Sequence, residues 1–172
     1  MLGLLPFVLA ATAATPPAPA STSPWWEKFV YTMSDDGAQQ ACKYQSSDAI
    51  VPAEGCGDDS EATAGPSERG GTVGLYTKIT VERRFTPANQ PDPVRLPTGD
   101  TLLGGQVLAL AIDSRGAVRS CKVVGESGDM APPYSCDDAR AERFKASAGA
   151  APADVRHGFM TVLIYGHEEY LA

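Results

Sequence analysis

Two cysteine-bearing hairpins, 79 residues apart, limit what this chain can fold into more than any other feature of its sequence. In the first, Lys28 to Met33 alternates, with Phe29, Tyr31 and Met33 on one side, the period of a half-buried strand. Asp35-Asp36-Gly37 is a turn signal, since glycine tolerates the positive φ of a tight hairpin, and Ala38 to Ser46 returns. In the second, Leu108, Leu110 and Ile112 alternate along Gln106 to Ile112. Asp113-Ser114-Arg115-Gly116 turns the chain, and Ala117 to Val124 returns. A shift of 79 lays Gly37 on Gly116, Cys42 on Cys121 and Lys43 on Lys122. It also lays Phe29, Tyr31 and Met33 on Leu108, Leu110 and Ile112, so the parity of the apolar side is kept. Kept parity has physical meaning, because a one-residue slip turns every side chain of a strand over. A shift of 80 carries Cys56 to Cys136. A shift of 84 carries Gly74-Leu75-Tyr76-Thr77 to Gly158-Phe159-Met160-Thr161, where each copy is expected to have its third strand. Turns favour the same few residue types and so resemble one another by chance. Retention of both cysteine positions makes duplication the better reading.

Four cysteines allow three pairings. Duplication selects Cys42 with Cys56 and Cys121 with Cys136, with cross-pairing between the copies as the alternative. Each such bridge closes a loop of about fifteen residues, worth ~3 kcal/mol in the chain-entropy account. A small module that buries little core needs that help. None of the cysteines forms a C-x-x-C pair, and His157 and His167 are distant from all of them in sequence, so no metal site is expected. An even count then reads as disulfides of an oxidising compartment.

The N-terminal segment agrees with that compartment. Leu2 to Ala14 is apolar and uncharged, too short for a spanning helix of ~20 residues, and suits the core of a signal peptide. Ala11-Thr12-Ala13 and Ala18-Pro19-Ala20 are both A-x-A cleavage patterns, although no Lys or Arg precedes the apolar run. A buried N-terminal helix is the alternative, and Pro6 and the prolines after Thr15 count against it. The organisation expected is a signal peptide over 1–20 and a linker over 21–24. A first repeat spans 25–84, a proline-punctuated connector 85–104 and a second repeat 105–172. The localisation expected is periplasmic or secreted, with no stable membrane span after cleavage. The net charge of −7 is spread evenly, with eleven acids and seven bases over 25–95 and ten and seven over 96–172. That balance argues against nucleic acid and anionic membrane surfaces, both of which demand clustered Lys and Arg.

The copies differ after their second cysteine. Ser135 to Phe144 reads as a helix, with Ser135 as cap and Asp137 and Asp138 favouring the positive end of its dipole. The matching stretch of the first copy has four glycines and no large apolar residue, and reads as a loop. The fold class expected is therefore α+β, with antiparallel sheets, as β-β-loop-β followed by β-β-α-β.

The second copy resembles the TonB C-terminal domain, the periplasmic β-β-α-β module of TonB-type energy transducers. The likeness covers residues 105–165. It rests on the strand from Gly105 through Asp113-Ser114-Arg115-Gly116, on Cys121-Lys122-Val123-Val124-Gly125-Glu126-Ser127-Gly128, on Arg143-Phe144 after the helix, and on the last strand Phe159 to Tyr165. Glu126 stands where the family has the first Ser of a Ser-Ser-Gly element, and Lys145-Ala146 where it has a proline. With a short apolar segment followed by only the nine Pro-, Ala- and Ser-rich residues Pro16 to Pro24, the chain looks like a free-standing relative rather than a transducer. The resemblance implies two disulfide-stapled, degenerate TonB-C-like modules. It also implies a partner-binding edge on the last strand, at Thr161, Val162, Leu163 and Ile164, to which a protein segment adds by β-augmentation, the alternative being that these residues are core and sheet interior.

Catalytic chemistry is not visible. Gly125-Glu126-Ser127-Gly128 lacks the G-x-S-x-G elbow, and His157 and His167, the latter beside Glu168 and Glu169, read as solvated surface groups before catalytic bases. The acidic run Asp58-Asp59-Ser60-Glu61 lacks calcium-loop spacing. Gly65 to Gly71 lacks the Lys-Ser/Thr ending of a phosphate loop. Trp25 and Trp26 read as a lid on a small core before a binding platform. The expectation is a non-catalytic exported binding module without cofactor or metal, its protein partner unidentified. The alternatives are a structural envelope protein whose two repeats pack on each other, and an unrecognised enzyme.

Overall fold

The computed structural model describes residues 19–34, 39–47, 56, 76–87, 90–146, 151 and 154–168. Asp35-Asp36-Gly37, the Asp58-to-Glu61 run, residues 65–71 and Gly74-Leu75 lie outside the described residues. The chain is α+β: β1 (Trp25–Met33), β2 (Gln39–Ser46), β3 (Lys78–Thr86), β4 (Asp100–Asp113), β5 (Val118–Gly128), α1 (Cys136–Ala141) and β6 (Val155–His167). The strands form one antiparallel sheet in the order β2-β1-β3-β6-β4-β5, so the two expected repeats share a sheet. Bridges join Cys42 to Cys56 and Cys121 to Cys136.

The registers of the two halves coincide. Adding 79 to each of the eight β1·β3 pairs, Trp25↔Phe85 through Thr32↔Lys78, gives the β4·β6 pairs Gly104↔Ile164 through Ala111↔His157. The hairpins agree over Phe29↔Tyr44 to Met33↔Gln39, which become Leu108↔Val123 to Ile112↔Val118. A bulge falls at the same place in each, between Thr32 and Met33 and between Ala111 and Ile112. Across the joint, Arg83 faces Val162, the residue 79 further on, so the halves are related by a two-fold axis through that pair. The third strands thus obey the hairpins' shift rather than one of 84. The counterpart of Gly158 to Thr161 is Ile79 to Glu82, and Tyr76 and Thr77 precede β3.

The connector is shorter than 85–104, because Phe85 and Thr86 end β3 and Asp100 to Gly104 open β4. Residues 21–24 are held to the body. The Ser21 carbonyl accepts the Trp25 indole N–H at 2.9 Å, and Ser21 is buried. The helix is shorter than Ser135 to Phe144. Ser135 caps it reciprocally with Asp138, and the chain leaves it at Glu142. Arg143 then bridges to Ala117 and Phe144 to Ala20.

Alternation puts Trp25, Phe85, Leu108, Leu110, Met160 and Val162 on one face, where they form the core with Ala139 and Phe144 from beyond the sheet. Phe85 packs on Phe144 at 5.0 Å and on Trp25 at 6.3 Å between ring centroids. Gly158 makes room for it: a Cβ there would stand 2.7 Å from the Phe85 ring. Trp25 is core and Trp26 half-buried, as a lid would have it.

One expectation is corrected by the topology. Thr161, Val162, Leu163 and Ile164 do not form an edge. They pair with Arg84, Arg83, Glu82 and Val81 of β3 on one side and with Val107, Gln106, Gly105 and Gly104 of β4 on the other. Both rows of backbone donors and acceptors are thereby used, and no third strand can add. The physical sign is that Met160 to Tyr165 is buried on both faces, as a central strand is and an edge is not.

Candidate functional site

The joint between the halves carries the densest chemistry among the described residues, one cluster on each face of the sheet. On the core face Arg83 donates from Nε to Glu27 Oε1 at 2.6 Å and pairs through Nη1 with Glu142 Oε1. Its guanidinium lies over the Trp25 ring at 5.2 Å and the Tyr134 ring at 4.8 Å. The short helix brings the second-half partners together, because Tyr134 precedes its cap and Glu142 ends it. Gln106, the residue 79 beyond Glu27, donates to the Tyr134 carbonyl and fixes that approach. Burial opposes the charge on Arg83, but Glu142 and Glu27 outweigh it and hold the guanidinium above its ordinary pKa. Burial likewise pushes the Glu142 carboxyl up, and Arg83 only partly offsets it. Tyr134 is raised by burial and by the Glu142 charge. Tyr134 Oη and Glu142 Oε2 are both buried and meet no hydrogen-bond partner.

On the opposite face Glu82, only 3% exposed, gathers three donors. Lys28 Nζ and Tyr165 Oη each lie 2.9 Å from Oε2. Arg84 donates to Oε1 through Nε at 3.1 Å and also through Nη2. Burial raises the Glu82 carboxyl, but these donors more than compensate, so its pKa lies below the ordinary value. A carboxyl lowered by folding stabilises the fold above its unfolded pKa, and the gain disappears as pH falls through the folded one. Stability is therefore expected to drop below pH 4.5, the ordinary glutamate value. Glu82→Gln is expected to flatten that drop while lowering stability at pH 7, as read from urea midpoints between pH 2 and 7.

The histidines serve neither cluster. His157 is exposed and sits opposite Ala111. His167 has an acid partner that the sequence did not disclose: its Nδ1 is 2.7 Å from Asp100 Oδ1, its cross-strand neighbour. Ser127 lies opposite Gly105, five residues along β4 from Asp100. At ~3.4 Å per residue the two are roughly 17 Å apart, so serine and histidine do not meet. Among the described residues no group of three His, Cys, Asp or Glu side chains is placed to hold a metal ion, and no helix is long and apolar enough to cross a membrane.

No family model, curated protein or solved structure matches this chain. The function has to be read from the joint and from the sheet's two outer strands.

Those strands are unequal as docking edges. β5 is interrupted twice, by the bulge between Ala111 and Ile112 and by another between Val107 and Leu108, and exposes Arg119, Lys122 and Glu126. Bulges and charges are how proteins discourage edge pairing. β2 keeps regular pairing from Ala41 to Ser46, with Lys43 its one charged residue.

Proposed function

We propose that the chain is an exported, non-catalytic envelope protein made of two degenerate TonB-C-like repeats, each closed by the other's last strand. The observation that carries this reading is the β3·β6 ladder of nine pairs, which contains the two-fold pair Arg83↔Val162. A lone repeat would present its third strand as an edge, and here each third strand covers the other. The common register and the shared bulge support duplication as the origin of the two halves. The two intra-repeat disulfides suit an oxidising compartment.

The test is to cut the folded chain at a protease site placed in the 90–98 connector, then separate the halves in denaturant. Neither half is expected to unfold cooperatively alone, and an equimolar mixture is expected to recover one transition. Independent folding of either half would falsify mutual closure.

A second reading, partner binding by strand addition, is favoured at one place only, the regular stretch of β2 from Ala41 to Ser46. It predicts labelling of a partner strand by a photo-reactive residue at Gln45 and none from Lys122.

A further inference from the structure

Residues 19–21 precede the first strand, yet they are built into the fold. Ala20 donates its N–H to the Arg143 carbonyl at 2.7 Å and accepts from the Lys145 N–H at 2.7 Å, forming a parallel bridge with Phe144. Phe144 in turn donates to the Gly116 carbonyl at 2.9 Å, so Ala20 is the outer member of three adjoining backbone segments. Ser21 is 9% exposed; its hydroxyl accepts the Ser23 N–H at 3.1 Å and its carbonyl the Trp25 indole N–H.

This geometry bears on the two A-x-A patterns. A cut after Ala20 removes both Ala20 hydrogen bonds and leaves the Arg143 carbonyl and Lys145 N–H without their partner. It also places a charged amino group on the buried Ser21, which is unfavourable. A cut after Ala13 leaves the whole arrangement intact.

We propose that the leader is removed at Ala11-Thr12-Ala13, so that Ala20 and Ser21 belong to the mature fold as its first strand segment. The reaction is hydrolysis of the Ala13–Ala14 peptide bond, with water supplying the hydroxyl of the new carboxyl group and a proton to the new amine. The inference rests on the export reading, and its test separates the two. Purified chains spanning 14–172 and 21–172 are compared by thermal melting. The shorter is expected to melt roughly 4–8 °C lower, the effect of two hydrogen bonds in a chain of this size. Ala20→Pro in the longer chain removes the donor but keeps the acceptor, and is expected to produce about half that shift. Equal melting of all three overturns the structural role of Ala20, whatever the compartment. The intact mass of the exported protein is expected to correspond to a start at Ala14. A start at Ser21 overturns the proposal, and an uncut chain overturns the export reading and the cut together, even where the melting difference stands.

Discussion

Phe85→Ala is expected to destabilise the protein by about 3–5 kcal/mol, the range for emptying a large aromatic site in a core. Phe85 is 1% exposed and is the ring through which the first half reaches Phe144 of the second. The space is poorly placed to collapse. Its floor is Gly158, which has no side chain to swing in, and its walls are Trp25 and Phe144, both held by the backbone bonds around Ala20 and Ser21. A double-mutant cycle makes the claim specific. Gly158→Ala alone sets a Cβ 2.7 Å from the Phe85 ring and is expected to destabilise, whereas on the Phe85→Ala background it fills vacated volume and should be nearly neutral. Additive losses, read from urea midpoints at constant slope, would show that the two residues do not share this space.

Arg83→Leu is the second large effect, about 2–4 kcal/mol at pH 7. This lies below the usual loss for breaking a buried ion pair because the Arg83 side chain keeps 22% of its exposure. The substitution leaves Glu27 and Glu142 side by side without a cation. Glu142, already raised by burial, should rise further. A carboxyl whose pKa is raised by folding favours the fold below its unfolded pKa, and that contribution is lost as pH climbs through the raised one. The deficit of Arg83→Leu is thus expected to shrink on acidification from pH 7 to 5, and adding Glu142→Gln should recover part of it at pH 7. A deficit independent of pH would mean that packing against Trp25 and Tyr134, rather than charge, is what Arg83 supplies.

That same arginine explains where the sequence was hard to read. The hairpins were legible because alternation, turn and cysteine each pointed the same way, and the disulfide pairing followed from their repetition. Ser135 and Asp138 announced the start of the helix. The third strand of the first half was harder to place: in Ile79-Thr80-Val81-Glu82-Arg83-Arg84-Phe85, three consecutive charges, Glu82 and Arg84 on one face and Arg83 on the other, interrupt the apolar pattern. They are compatible with a central strand only because Arg83 finds Glu27 and Glu142, and Glu82 finds Lys28 and Tyr165 on other strands as well as Arg84, two residues further along β3. The partnering of β6 on both sides was hinted at by its run of apolar residues without alternation. Its neighbours were not, because strand order in a sheet is a long-range fact. His167 and Asp100 are 67 positions apart, and no local pattern ties them together.

The order of the strands also sets an order of events. β6 is the last in sequence of the six strands among the described residues, and it lies at the middle of the sheet. As the chain enters an oxidising compartment from its N-terminus, both hairpins and both short disulfide loops can form from neighbouring residues, but β3 and β4 must each wait with a bare side until β6 emerges. Completion is then a late, non-local step, slow by the measure of sequence separation. In that interval the unfinished protein presents two sticky flanks to any extended chain nearby, a hazard the finished one has closed.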